Sequence, residues 1–128
     1  MPPFCLDTSA ILALRDDEPG AEHVATLLEG PDLCLACFIT RMEVLDRVWT
    51  DEGELSGRLA YEQLRSLPIQ WVDQTEPLLL EASRIKASHP LSVADAWIAA
   101  TAILSRATLL HKDPEFETMT ELDQVWLA

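Results

Sequence analysis

The chain has 128 residues, with 22 acidic side chains against 9 basic ones, a formal charge of −13 and 48% hydrophobic residues. That apolar fraction can fill a core at a length typical of one domain, which argues against disorder and predicts a single domain over residues 1–128. The acidic balance excludes a protein that grips nucleic acid through bulk charge, because neutralising phosphates takes clustered Lys and Arg.

In chain order, Phe4 to Leu6 reads as a strand, Ser9 to Leu14 and Ala21 to Leu28 as helices parted by Pro19-Gly20, and Leu33 to Ile39 as a second strand. Met42, Leu45, Val48 and Trp49 have helical spacing, and Leu55, Leu59, Leu64 and Leu67 renew it after Gly53. Ile69 to Val72 reads as a third strand, and Leu78 to Ile85 as a helix stopping near His89-Pro90. A nearly all-apolar helix, Val93 to Leu104, precedes a fourth strand at Thr108 to Leu110 and a weak fifth at Val125 to Leu127. Short apolar runs of this kind suit strands buried on both faces, and their alternation with helices predicts an α/β sandwich with a mostly parallel sheet. The opening Met1-Pro2-Pro3 leads into no basic segment or long apolar core, so neither a secretory signal nor a membrane span is predicted. Three cysteines cannot all pair within one chain, and a cytoplasmic protein with reduced thiols is expected.

Four carboxylates fall where a strand hands over to a helix or in a helix's first turn: Asp7, Glu43, Asp95 and Asp113. The carboxyl ends of parallel strands share one edge, where ligands bind in open α/β sheets, so acids distant in sequence can converge there. Helix starts also select acids for their own reasons. Thr40-Arg41-Met42-Glu43 and Ser92-Val93-Ala94-Asp95 have the capping-box spacing, and Asp113-Pro114 reads as an N-cap followed by Pro at the first helical position. Glu43 also stands four residues before Arg47, the favourable order for an ion pair. Capping and function therefore both remain open for Glu43 and Asp113.

Asp95 is the only charged residue from Leu91 through Ser105, and Ala99 and Ala102 on its own face are small enough to let a ligand approach. A carboxylate in so apolar a helix is costly unless paired, hydrogen-bonded or on a metal, and the desolvation argument favours a metal. Asp7 closes an apolar strand beside two hydroxyls, Thr8 and Ser9, that could orient it. Several carboxylates brought together resist ionising, and a divalent cation resolves the conflict. Mg²⁺ or Mn²⁺ on oxygen ligands supports phosphodiester hydrolysis without a His or Cys nucleophile, and supplies the positive charge that an acidic surface lacks.

Leu6-Asp7-Thr8-Ser9-Ala10, Glu18-Pro19-Gly20-Ala21-Glu22, Glu43 in a helix after the second strand, Ala94-Asp95-Ala96-Trp97-Ile98-Ala99-Ala100-Thr101-Ala102 and His111-Lys112-Asp113-Pro114-Glu115-Phe116 follow one another in this order. This series resembles the PIN-domain ribonucleases, and among them the VapC-like toxins of type II toxin–antitoxin pairs. The resemblance implies a metal-dependent endoribonuclease, cutting RNA to leave a 5′-phosphate and a 3′-hydroxyl. It also implies a three-layer α/β/α sandwich around a mostly parallel sheet of four or five strands, a homodimer, and an antitoxin whose basic tail blocks the site. By the same resemblance Asp7 and Asp95 match the principal Mg²⁺ ligands, and Glu43 and Asp113 the other acids of a catalytic quartet. Thr8 or Ser9 matches the hydroxyl supporting the first acid, and Glu115 falls where some relatives carry a further one. The family often has a hydroxyl two positions before the fourth acid; here that position is His111, for which a structural hydrogen bond is expected without an identifiable partner.

Arg15, Arg41 and Lys112 lie near the acids in sequence and are candidates for RNA phosphate contacts. Cys34-Leu35-Ala36-Cys37 has the spacing of a zinc half-site, but residues three apart on a strand point to opposite faces, and core packing is expected. Trp49, Trp71, Trp97 and Trp126 sit in apolar patterns and read as core or dimer surface rather than a base-stacking platform. Two other functions are weighed. A phosphoacceptor receiver domain has similar length, but Asp16, Asp17 and Asp51 fall in the wrong places for its acids. A PIN-like scaffold without catalysis is countered by the presence of all four acids.

Overall fold

The computed structural model describes residues 3–127; Met1, Pro2 and Ala128, at the ends of the expected domain, lie outside the described residues. Five strands, β1 (Phe4–Leu6), β2 (Cys34–Cys37), β3 (Gln70–Val72), β4 (Thr108–His111) and β5 (Gln124–Trp126), pair in the order β3-β2-β1-β4-β5. Every pairing is parallel, with Cys5 opposite both Leu35 and Leu109. The sheet is thus five-stranded and wholly parallel, at the upper limit of the sequence expectation.

Six helices flank it: α1 (Thr8–Arg15), α2 (Ala21–Glu29), α3 (Phe38–Glu52), α4 (Glu54–Arg65), α5 (Glu76–Ser88) and α6 (Val93–Leu104). Strand side chains alternate between two cores. Leu6, Ala36 and Leu110 pack with Ile11, Val24, Val44, Val48 and Leu64 of α1 to α4. Cys5, Leu35, Cys37 and Leu109 pack with Leu78 and Ile85 of α5, the alanines of α6, and Phe116 and Met119. The result is three layers, helices on both faces of a sheet that shows no polar face to water.

Local chemistry sets the boundaries. Thr75 and Ser92 accept hydrogen bonds from the Leu78 and Asp95 N–H groups and so cap α5 and α6. Gly53, at φ 98, breaks the chain between α3 and α4 in a conformation that side chains disfavour. The α6 sequence carries five alanines in twelve residues; Ala96, Ala99, Ala100 and Ala102 are buried, which brings the helix close to the sheet. Ala99 and Ala102 therefore face the core, not an approach path for a ligand as expected.

Two further expectations are corrected here. The apolar run at Leu33 to Ile39 is strand only over Cys34–Cys37, because Phe38 and Ile39 open α3. Thr40 consequently lies inside that helix, fully buried, and cannot cap it; the N-cap is Cys37, with no side-chain bond. Of the tryptophans expected in core or surface, Trp71 and Trp97 are half-buried and pack against the two cores, while Trp49 and Trp126 are exposed. Trp97 packs edge-on against Phe38, and Arg41 and Arg58 lie over Trp71 and Trp49. Cys5, Cys34 and Cys37 are buried and unbridged, so the Cys34/Cys37 pair serves packing. Among the described residues no helix is long and apolar enough to cross a membrane.

Candidate active site

The chain leaves β1 to one side to make β2 and β3, then returns to the other side for β4 and β5, so the sheet reverses direction between β1 and β4. A crevice opens beyond the carboxyl ends of strands at such a point. Here it measures about 290 Å³ and is lined by Asp7, Thr8, Ser9, Leu12, Glu18, Glu43, Arg47, Asp95, Lys112 and Asp113. All four predicted acids reach it, each on a different element: Asp7 after β1, Glu43 on α3, Asp95 in the first turn of α6 and Asp113 after β4.

Asp7 is the most enclosed of the four, 3% exposed. Its Oδ1 accepts from Ser9 Oγ at 2.7 Å and from the Ala10 N–H at 2.9 Å, capping α1. Among the described residues Oδ2 has no donor, which leaves it to the crevice. Ser9 Oγ also accepts from the Lys112 N–H at 2.9 Å, so one hydroxyl joins the exits of β1 and β4. Of the two expected hydroxyls, Ser9 alone supports Asp7. Thr8 Oγ1 donates instead to Glu43 Oε1, a contact across 35 residues of sequence.

Asp113 caps a helical turn as well, whereas Asp95 is capped through its backbone and, among the described residues, its carboxylate makes no capping bond. The Asp95 N–H donates to Ser92 Oγ at 3.1 Å, and Asp113 Oδ1 accepts from the Glu115 N–H at 2.9 Å to open the 3₁₀ turn Pro114–Thr118. For Asp7 and Asp113 capping and convergence are therefore not rival explanations, since one carboxylate oxygen caps while the residue still lines the crevice. Oxygens of Asp95, Asp113 and Glu115 lie within 4.8 Å of one another, bringing Glu115 into the acidic group.

Burial pushes Asp7 up to about 7, against the hydrogen bonds from Ser9 and Ala10; the Asp113 and Glu43 charges add to the rise. Burial also raises Asp95 well above the ordinary carboxylate range, followed by its hydrogen-bonded contact and like charge with Asp113, and then Glu115 and Asp7. These acids lack sufficient positive charge. An all-oxygen set, with free oxygens facing a polar crevice, fits a hard divalent cation such as Mg²⁺ or Mn²⁺.

The basic residues are distributed differently from expectation. Arg15, at the far end of α1, bonds Glu52 and Asp16 and lines a separate apolar groove; Arg41 bonds Asp73 at 2.8 Å. Neither lines the crevice. Lys112 does, with its Nζ 3.9 Å from Glu18. Arg47 also lines it, and was hidden in the sequence by its apparent pairing with Glu43. Among the described residues Arg47 has no carboxylate within 4.0 Å, because Glu43 is turned toward Thr8. Glu18 is a second crevice residue; it stands in the Glu18-Pro19-Gly20 motif but is not among the expected site residues.

With the crevice in place, comparison with known proteins gives it a lineage. The chain belongs to the PIN domain family, whose profile matches residues 4–122. No curated protein matches the chain in sequence. Its solved structural neighbours include VapBC2 from Rickettsia felis bound to a promoter DNA fragment (TM-score 0.81, 15% identity, 98% of each chain covered). VapBC-1 from nontypeable Haemophilus influenzae has a TM-score of 0.75 at 25% identity over 97% of each chain. Mycobacterium tuberculosis VapC20, described as a toxin cleaving the sarcin-ricin loop, has a TM-score of 0.73 at 15% identity, covering 91% of this chain and 95% of its own. Family membership overturns the receiver-domain reading.

Proposed function

We propose that the chain is a divalent-metal-dependent endoribonuclease and the toxin half of a toxin–antitoxin pair. The observation that carries this reading is the meeting of Asp7, Glu43, Asp95 and Asp113, from four elements, in one crevice with too little positive charge to balance them. PIN membership supports it, as does likeness to solved VapBC assemblies and to a toxin described as cleaving the sarcin-ricin loop.

In this reading Asp7, Asp95 and Asp113 would hold Mg²⁺ or Mn²⁺, with Glu115 able to join them. When bound, the cation polarises a phosphoryl oxygen, makes a water more acidic and offsets charge developing in the transition state. Glu43, held at Oε1 by Thr8, keeps Oε2 to accept a proton from the attacking water. Arg47 and Lys112 bind phosphate oxygens at the crevice wall and set the register of the strand. The Ser9 hydroxyl holds the β1 and β4 exits together, so that Asp7 is oriented before substrate arrives.

The exterior suits an inhibitor better than a nucleic acid. Arg15, Arg41, Arg58, Arg65 and Arg84 are each engaged by carboxylates, so few cations remain to attract RNA. A basic antitoxin tail is drawn to the same surface that disfavours RNA, and a homodimer is the proposed assembly. The test is cleavage of defined tRNA and rRNA fragments by nuclease-free protein with Mg²⁺ or Mn²⁺. Cuts ending in 5′-phosphate and 3′-hydroxyl that vanish in EDTA are expected. A folded protein that binds its antitoxin yet cuts no RNA with either cation would favour the scaffold reading instead.

A further inference from the structure

We infer that His111 is a positioning residue for Asp113, held by Gln124 in the one ring form able to accept the Asp113 N–H. The inference rests on the reading of Asp113 as a cation ligand and goes beyond it, since His111 touches neither the crevice nor its contents.

The argument begins with the Gln124 amide. Its Nε2 donates to two backbone carbonyls, Phe116 O at 2.9 Å and Met119 O at 3.1 Å, which cannot bond an oxygen and so fix which end is nitrogen. Oε1 then faces His111 Nε2 at 2.8 Å, and that nitrogen must carry the proton. The other ring nitrogen, Nδ1, receives the Asp113 N–H at 3.1 Å and must be bare. Both requirements describe the same neutral tautomer. Flipping the amide or moving the ring proton sets donor against donor around a fully buried imidazole.

Aromatic neighbours enclose the ring on two sides. His111 is wholly buried at the end of β4, with ring centroids 5.0 Å from Phe116 and 5.6 Å from Trp126. Gln124 reaches it from β5, where it pairs with Leu109, two residues before His111. The network thus grips the acid-bearing segment twice. His111 holds the Asp113 backbone, while Gln124 holds the carbonyls of Phe116 and Met119 beyond Glu115. A hydroxyl at position 111 would be too short to span Asp113 and Gln124 together, whereas the imidazole ties the Asp113 segment to the neighbouring strand. Outer contacts of this type orient the groups that bind a cation.

The experiment compares wild type, His111→Leu and His111→Asn by Mn²⁺ titration, with ¹⁵N spectra of the wild-type imidazole. Asn places its Oδ1 near the position of Nδ1 but gives up the bond to Gln124. Leu removes both contacts. The wild-type ring is expected to carry its proton on Nε2. His111→Leu, shown folded by its amide spectrum, should bind Mn²⁺ about 10- to 100-fold more weakly, with His111→Asn recovering most of the loss. Recovery by Asn despite lower thermal stability separates positioning from general stabilisation. A folded His111→Leu protein that binds Mn²⁺ as tightly as wild type overturns the inference, as does a wild-type ring protonated at Nδ1. Wild-type protein that binds no Mn²⁺ overturns this inference together with the proposed function.

Discussion

Two sets of carboxylates in this protein are pushed in opposite directions. On the outer face of α5, Glu81 accepts two bonds from the Arg84 guanidinium, both at 2.9 Å, and that partner lowers its pKa. In the crevice, Asp7 and Asp95 are raised, chiefly by burial and further by neighbouring acids. The outer acid is matched to a cation in the chain; the inner acids are gathered where the chain provides too few. Acidity alone thus says little about function, whereas buried acids drawn from separate elements mark a site prepared for an external charge.

The sharpest way to break this contrast is to neutralise one acid of each kind. Asp7→Asn and Asp95→Asn should each lower Mg²⁺-dependent cleavage by at least about 100-fold, because losing mere outer partners of metal ligands already costs about 10- to 100-fold. Glu81→Gln should leave the rate unchanged in the same assay. Equal effects at the two places would erase the distinction.

Arg47→Ala comes next. Its loss should raise KM by roughly tenfold with a smaller change in kcat, and lower the dependence of log KM on log salt by about one, as expected for one phosphate contact. Arg15→Ala, away from the crevice, serves as the comparison and should leave that salt dependence intact.

Titration offers a third test. Asp7 has a folded-state pKa of about 7 against an ordinary value of 3.8, so its contribution to stability is fully present below about pH 4 and is lost as pH rises toward 7. Metal-free protein should therefore become less stable between pH 4 and 8, Asp7→Asn should flatten that dependence, and Mg²⁺ should stabilise wild type more at pH 8 than at pH 5. Thermal unfolding across this range checks all three outcomes. Glu81 carries the opposite sign, adding stability above its ordinary pKa of 4.5 and losing it as pH falls through its lowered folded value. Because that pair is partly exposed, Arg84→Ala should cost no more than about 0.5 kcal/mol at neutral pH, measured by urea unfolding.

Much of this arrangement is legible in the sequence, and the errors share a physical origin. The first strand and α6 keep their predicted bounds, Phe4–Leu6 and Val93–Leu104, because their apolar patterns are bounded by clear caps. The strand-to-helix change after Cys37 has no capping side chain, and Phe38 and Ile39 are as apolar as the strand before them. Extending that strand by two residues creates an apparent capping box at Thr40 and Glu43. The same local rules pair Glu43 with Arg47, four residues on. In the folded chain Thr8 claims Glu43 from a distant segment and leaves Arg47 beside the crevice. Arg15 and Arg41 lie outside the crevice lining for the converse reason: nearness in sequence to a site element does not fix the direction of a long side chain. His111 marks the same limit, since its partner Gln124 is defined only when β5 pairs with β4.

The central claim is that the converging acids form a cation site. Crystals soaked in Mn²⁺ and measured for anomalous scattering test it most directly. The account predicts a Mn²⁺ peak in the crevice in contact with Asp7, Asp95 or Asp113, and its absence in Asp95→Asn crystals treated alike. No anomalous peak in the crevice of wild-type crystals, or one only among acids of the outer helical surface, would contradict it.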